Sequence, residues 1–249
     1  MAFSLENEQY SKIKQLFIAY SALLTADFEH RIKKSIRVLH FAYLWGACKE
    51  AKIICTKNQN LNLFDLIMSI YNKRRDAHQA KFLLLHCFEN ALRSTMAVIA
   101  ANAFNQTKDD WFLQSTADKT QQSLKQKAHN IATKRKLQIQ NFNTFEVFDL
   151  FSMGDLEHIL KTHYHLFSHL FNKPQRYKGQ ILPTYATKTY LINTIKRIRN
   201  SRNEIFHNKP SKIKFQKDVE ILLLRLGYNL ADATKLGDIQ RFISLKFKY

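Results

Sequence analysis

Residues 202–208 read Arg-Asn-Glu-Ile-Phe-His-Asn and place an arginine, an amide and a histidine near the end of a predicted helix. At about 100° per residue, Arg199, Asn203 and His207 share one stripe of that helix, with Arg202 about 60° to one side. The adjoining face carries Leu191, Ile195, Ile198, Ile205 and Phe206, so the polar stripe borders a packed surface. Arginine grips a phosphate bidentately, histidine with its ordinary pKa of about 6.5 exchanges protons near neutrality, and an amide orients either group. Such a set suits cleavage of RNA by its own 2′-hydroxyl. One group removes the hydroxyl proton, another protonates the leaving 5′-oxygen, and cations stabilise the charged phosphorane. One histidine serves poorly as acid and base together, so two copies facing across a twofold axis make a fuller site. The plain alternative is a surface arginine and a histidine that meets a helix dipole at its C-terminal end.

The whole chain favours a polyanion as partner. Its 249 residues carry 39 Lys and Arg against 20 Asp and Glu, a formal net charge of +19. A surplus of that size points to nucleic acid or an anionic membrane surface. The apolar runs at 82–85 and 221–224 fall far short of the roughly 20 residues that cross a bilayer, which sets membrane spanning aside. Glu6 and Glu8 precede any basic residue and no secretory signal follows, so the expected compartment is the cytoplasm. Cys48, Cys55 and Cys87 are odd in number and lack a Cys-x-x-Cys spacing, so they read as reduced, mostly buried thiols.

With five Gly and three Pro, the chain lacks the punctuation of strands and tight turns, and its 45% hydrophobic content supplies a substantial core. The expected fold class is all-α. Helical periodicity runs through Ile13, Leu16, Phe17, Tyr20 and Leu23, through Ile32, Ile36, Leu39 and Tyr43, and through Leu63, Leu66, Ile67 and Ile70. A longer helix is expected from about Ala77 to Phe104, after which Trp111 re-enters the core. Residues 119–136 read as a solvated helix or a mobile arm. Its basic cluster, Lys125, Lys127, Lys134, Arg135 and Lys136, serves solubility or contacts RNA. Ser152 to Asp155 has the form of a capping box leading into a helix over 156–171. A loop follows over 173–183, then Thr184 or Thr187 caps a helix continuing to His207, and Pro210 stops it. Two more amphipathic segments are expected at about 215–226 and 231–247, and no linker or repeat marks a domain boundary, so one helical domain is the simplest organisation.

His163, His165 and His169 lack a carboxylate or cysteine to complete a metal set, and their aromatic neighbours suggest packing instead. No Gly-rich phosphate loop occurs, which argues against an NTPase or dinucleotide enzyme. Glu89 and Arg93, four apart, read either as an ordinary intrahelical ion pair or as a pair that positions Arg202 or an RNA phosphate.

Arg202-Asn203 followed by His207, with Asn208 and Pro210 beyond, resembles the Arg-polar-x-x-x-His signature of HEPN-fold ribonucleases, in particular the abortive-infection (Abi) family of bacterial anti-phage proteins. Upstream, Glu89 and Arg93 resemble that family's Glu-x-x-x-Arg helix and Asp110-Trp111 its Asp-Trp turn. Residues 145–160 resemble its segment before the catalytic helix. The likeness covers about residues 80–210. It implies a HEPN-like helical bundle, here with additional N- and C-terminal helices, homodimerisation that faces the two motifs together, and metal-independent endoribonuclease activity without a cofactor, used as a toxin or defence effector. Arg202, Asn203 and His207 take the catalytic places, with Arg199, Asn208, Glu89 and Arg93 in support. An antitoxin of unknown type would fit that role. Many relatives carry a second histidine or a basic residue where Asn208 stands. A branch regulated by nucleotidylation has a tyrosine where Lys209 stands, so that regulation is not expected. The competing reading from another class is a non-catalytic basic helical RNA-binding or scaffold protein of a defence complex, whose RNA binding would weaken with salt and yield no product.

Overall fold

Side-chain caps start several helices of this computed structural model, which describes residues 4–57, 61–104, 110–113 and 118–230. The Ser4 hydroxyl accepts from the Asn7 amide at the head of α1 (Leu5–Leu16), and Thr25 accepts from Phe28 at the head of α2 (Ala26–Val38). The described residues form an all-α protein. The chain divides into two compact units, Met1–Lys81 with Glu204–Ser211, and Phe82–Asn203 with Lys212–Tyr249.

In the first unit, α1 passes into a 3-10 helix (Ile18–Leu23), so the first periodic run is two elements rather than one. The second run breaks as well. Leu39 and His40 are extended, and α3 (Phe41–Cys55) begins after them. Ile13, Phe17, Ile32, Leu44, Cys48 and Ile67 are fully buried in the core that these helices share with the start of α4 (Leu63–Phe104). That helix starts at Leu63 and not near Ala77. Residues 72–81 hold no Gly or Pro and are mostly good helix formers, so the polar stretch carries the helix through. The three cysteines are free and buried, and burial pushes the Cys48 thiol up to about 12.

In the second unit, Leu85, Phe88, Leu92 and Met96 of α4 are buried, as is Trp111, whose indole Nε1 donates to Thr144 Oγ1 at 3.2 Å. Residues 119–134 are not a mobile arm. They form α5 (Lys119–Lys134), capped by Asp118, with Gln121, Leu124, Ala128 and Ala132 buried along one stripe. Capping boxes start both α6 (Thr144–Asp149), through Asn143 and Glu146, and α7 (Met153–Thr162), through Ser152 and Asp155. The helix expected over 156–171 is broken. His163 leaves helical geometry at φ −109°, ψ 35°, and α8 (Tyr164–Asn172) follows.

The loop over 173–183 holds a short hairpin, β1 (Arg176–Tyr177) antiparallel to β2 (Gln180–Ile181). Its two-residue turn needs positive φ at both positions, and Lys178 (47°) and Gly179 (80°) supply it. Thr187 accepts from the Tyr190 amide and opens α9 (Lys188–Phe206). The last described helix is α10 (Gln216–Arg225). There Arg225, 4% exposed, donates to the carbonyls of Leu170, Lys173 and Pro183 at 2.6–3.1 Å and fixes the segment between α8 and α9. The amphipathic segment read at 231–247 lies outside the described residues. No helix among the described residues is long and apolar enough to cross a membrane.

Candidate functional site

Glu89 on α4 is 5% exposed, and a carboxylate buried that deeply requires compensation. Two arginines provide it. Arg93 Nη2, one helical turn on, donates to Glu89 Oε1 at 2.8 Å, and Arg202 Nε from α9 donates to Glu89 Oε2 at 2.9 Å. The Glu89–Arg93 pair is thus an intrahelical ion pair that is also tied to α9. The second guanidinium nitrogen of Arg93, Nη1, donates to the carbonyls of Phe148 at 3.2 Å and Phe151 at 2.9 Å, with Asp149 at 3.4 Å. These carbonyls lie at and just beyond the end of α6, so Arg93 adds to the closing of that helix in the manner of a C-terminal cation. Arg93 Nε is buried without a hydrogen-bond partner among the described residues.

Arg202 differs. Its side chain is 26% exposed against 15% for Arg93, and the Glu89 carboxylate holds it through Nε. Nη1 also donates to Asn203 Oδ1 at 3.4 Å, which places the exposed Asn203 amide beside it. The cluster of one carboxylate and two guanidiniums has a net charge of +1. Arg199 does not join it. Its Nε lies 2.7 Å from Glu157 Oε2 in a separate ion pair, and its guanidinium packs over Gly154, where an added Cβ would sit 3.4 Å from Nη1.

α9 ends at Phe206, one residue before its expected end, so His207 sits in the capping turn and not on the helical stripe. His207 and Asn208 belong with the first unit. The Asn208 amide donates to Ile205 O and the Lys209 amide to Glu204 O, and Asn208 has φ 55°. This is a Schellman turn, and Asn is the non-glycine residue that most readily takes its left-handed position. The Asn208 side chain lies near His78 on α4, whose Nδ1 pairs with the Tyr43 hydroxyl from α3. Burial, with the Lys81 ammonium and the His40 ring nearby, holds the His78 pKa below its ordinary value, against an opposing pull from Asn208 and the Ile205 backbone. Glu204 in the same turn buries Oε2 with no hydrogen-bond partner among the described residues. His207 itself is exposed.

Tyr43, His78 and Glu204 were missed in the sequence. His78 stands in a polar stretch that reads as solvated, and nothing local signals its pairing with residues 35 positions earlier or far downstream. No known family model, curated protein or solved structure matches the chain. Among the described residues, no group of three or more His, Cys, Asp or Glu is placed to hold a metal ion.

The basic residues of the α5 region divide by role. Lys127 pairs with Asp155 at 2.8 Å and Lys125 reaches the Leu113 carbonyl at 3.5 Å. Lys134 and Arg135 are exposed, and Lys136 takes the left-handed position, φ 56°, that closes α5. The arrangement around Arg202 offers a rigidly held cation to an anion. The turn beyond offers an exposed imidazole whose neighbour Asn208 holds the left-handed position of the Schellman turn.

Proposed function

We propose that the chain is a metal-independent endoribonuclease of the HEPN and Abi type, acting as a homodimer in a toxin or anti-phage abortive-infection role. Arg202 holds the scissile phosphate, Asn203 orients it, and His207 transfers protons. One imidazole takes the 2′-hydroxyl proton as that oxygen attacks phosphorus. The P–O5′ bond breaks, the leaving oxygen receives a proton from the His207 of the second copy, and the products are a 2′,3′-cyclic phosphate and a 5′-hydroxyl. The observation that carries the reading is the clamp on Arg202. A guanidinium set in place by a carboxylate that is 5% exposed, five residues before an exposed histidine, is preorganised for an anion in a chain of net charge +19.

The test compares wild type with His207→Ala on total cellular RNA in EDTA, with the new ends sequenced. Cleavage by wild type alone, leaving cyclic phosphate ends, is the expected result. Equal cleavage by both proteins sinks the assignment. The +19 charge by itself also favours a basic RNA-binding or scaffold protein, and salt-sensitive binding with no product from wild type would select it.

A further inference from the structure

α9 presents one exposed stripe that its own packing does not use. Asn193, Lys196, Asn200 and Asn203 follow one another at intervals of three and four residues, within about 80° of the helix circumference, and all four are exposed. From Asn193 to Asn203 the stripe climbs about 15 Å. Asparagine is a poor residue for a helix interior because its amide competes with the backbone ladder, so three of them on an exposed face cost the helix stability and add nothing to its core. Other polar residues of this helix are satisfied within it. Thr194 Oγ1 donates to Tyr190 O at 3.0 Å and Ser201 Oγ to Arg197 O at 3.1 Å, both from buried positions. Asn193, Lys196 and Asn200 have no hydrogen bond or ion pair among the described residues. Asn203 Oδ1 accepts from Arg202 Nη1 at 3.4 Å, so the stripe ends at the guanidinium that Glu89 holds.

Charge selects the occupant. Between Glu157 and Glu204 the chain holds nine lysines and arginines and no Asp or Glu. Arg197 pairs with Asp218 and Arg199 with Glu157, while Lys196 at the middle of the stripe keeps its full charge for a partner. A second copy of α9 laid on this face would bring lysine and arginine against their like with no carboxylate on the stripe to offset them, whereas a polyanion meets it with complementary charge. An exposed amide offers both donor and acceptor, which suits the phosphate oxygens, 2′-hydroxyls and base edges of a single-stranded RNA.

We propose that the RNA strand whose scissile phosphate meets Arg202 lies along this stripe, with Lys196 on a neighbouring phosphate and Asn193 and Asn200 bonded to sugar hydroxyls and base edges. The assignment rests on the reading of the chain as an RNA-cleaving protein and adds the residues that hold the strand on one side of the cut. In a dimer whose two motifs face each other, it gives the stripe to the strand and not to the other copy.

The experiment measures anisotropy of a labelled twelve-nucleotide single-stranded RNA on the full chain carrying His207→Ala, to prevent cleavage, with two sets of changes on α9. Alanine is the better helix former at both exposed positions, so Asn193→Ala with Asn200→Ala keeps or raises the thermal midpoint, and affinity is expected to fall about five- to tenfold for the bonds lost. Lys196→Gln is expected to weaken binding and to reduce the slope of log affinity against log salt by about 0.7, the mark of one lost phosphate contact on a single strand. Affinities within twofold of the parent for the asparagine pair and an unchanged slope for Lys196→Gln, in a chain whose wild type cleaves RNA through His207, overturn the stripe alone. Dissociation of a dimer by the asparagine pair, seen in sedimentation while RNA affinity holds, would give the face to a second copy and overturn the proposal. Weakened variants in a chain whose wild type leaves RNA uncut support the stripe as a strand site and sink the cleavage. Failure of the parent to bind RNA overturns this assignment and the proposed function together.

Discussion

Replacing Glu89 by Gln keeps the shape of the side chain and removes the one negative charge between Arg93 and Arg202. Both carboxylate oxygens accept from a guanidinium, at 2.8 and 2.9 Å, and an amide has only one acceptor to offer. One guanidinium therefore meets an NH2 group and loses a charged hydrogen bond of about 1.5–3 kcal/mol, while the other bond weakens to charged-to-neutral. Breaking a fully buried pair from one side costs about 3–5 kcal/mol. With the Arg202 side chain 26% exposed, solvent recovers part of that, and the expected loss is about 3 kcal/mol.

The loss falls unevenly. Arg93 keeps the Phe148 and Phe151 carbonyls, so it stays in place, and Arg202 is the side chain set loose. Urea unfolding followed by helical circular dichroism measures the change, and thermal melts are expected to move down by about 6–12 °C. A double-mutant cycle of Glu89→Gln with Arg202→Gln isolates the shared contact. A coupling of at least about 1 kcal/mol is expected for residues in one ion-pair network. A loss under about 0.5 kcal/mol, or strictly additive losses, would refute the clamp and with it the argument that Arg202 is preorganised.

His78 gives a pH signature. Its pKa is depressed on folding, so its neutral form contributes stability that is present above the unfolded value of about 6.5 and is lost as pH falls through the folded value. His78→Phe is expected to cost about 1–2 kcal/mol at pH 7.5, and urea midpoints at pH 5 should bring it closer to wild type. A gap that stays constant with pH removes His78 as the titrating group. Lys136→Gly relieves the positive φ at the end of α5 and is expected to raise stability by about 0.5–1 kcal/mol, read as a higher urea midpoint. A lower midpoint would mean that the Lys136 side chain contributes more packing than the turn costs. Arg225→Met leaves three carbonyls without their donor, and a loss of about 3 kcal/mol or more in the same assay is expected, where a loss below 1 kcal/mol contradicts the pinning role.

The parts of the fold legible in the sequence are those whose cause is local. Ser152 and Asp155 form their box within four residues, Thr187 caps α9, and Trp111 returns to the core because a large apolar side chain after a polar run has little other use. Breaks within an unbroken apolar pattern were not legible. Ile32 to Tyr43 keeps helical period across the extended Leu39, and the run from Leu156 to Phe171 keeps it across His163, because periodicity records which side chains are buried and not whether the backbone between them turns. The cluster at Arg202 was half legible. The motif and the Glu89–Arg93 spacing are visible, but the bond between Glu89 and Arg202 joins residues 113 apart, and no local pattern encodes it.

Arg93, Arg202 and Arg225 show why residue type alone misleads. All three are arginines on helices, and residue type alone gives no way to tell which of them is open to a ligand. Their partners separate them. Arg225 gives its donors to three backbone carbonyls, and Arg93 Nη1 gives its own to the end of α6. Neither can turn to a ligand without giving up these bonds, and each acceptor left without a donor costs about 1–3 kcal/mol. Arg202 is held by the Glu89 carboxylate through Nε and by a neighbouring amide through Nη1, and its side chain keeps more exposure than that of Arg93, 26% against 15%. A carboxylate clamp of this kind can persist while the exposed part of the side chain meets a phosphate. The choice among the three therefore follows from the acceptors they meet, which only the folded chain reveals.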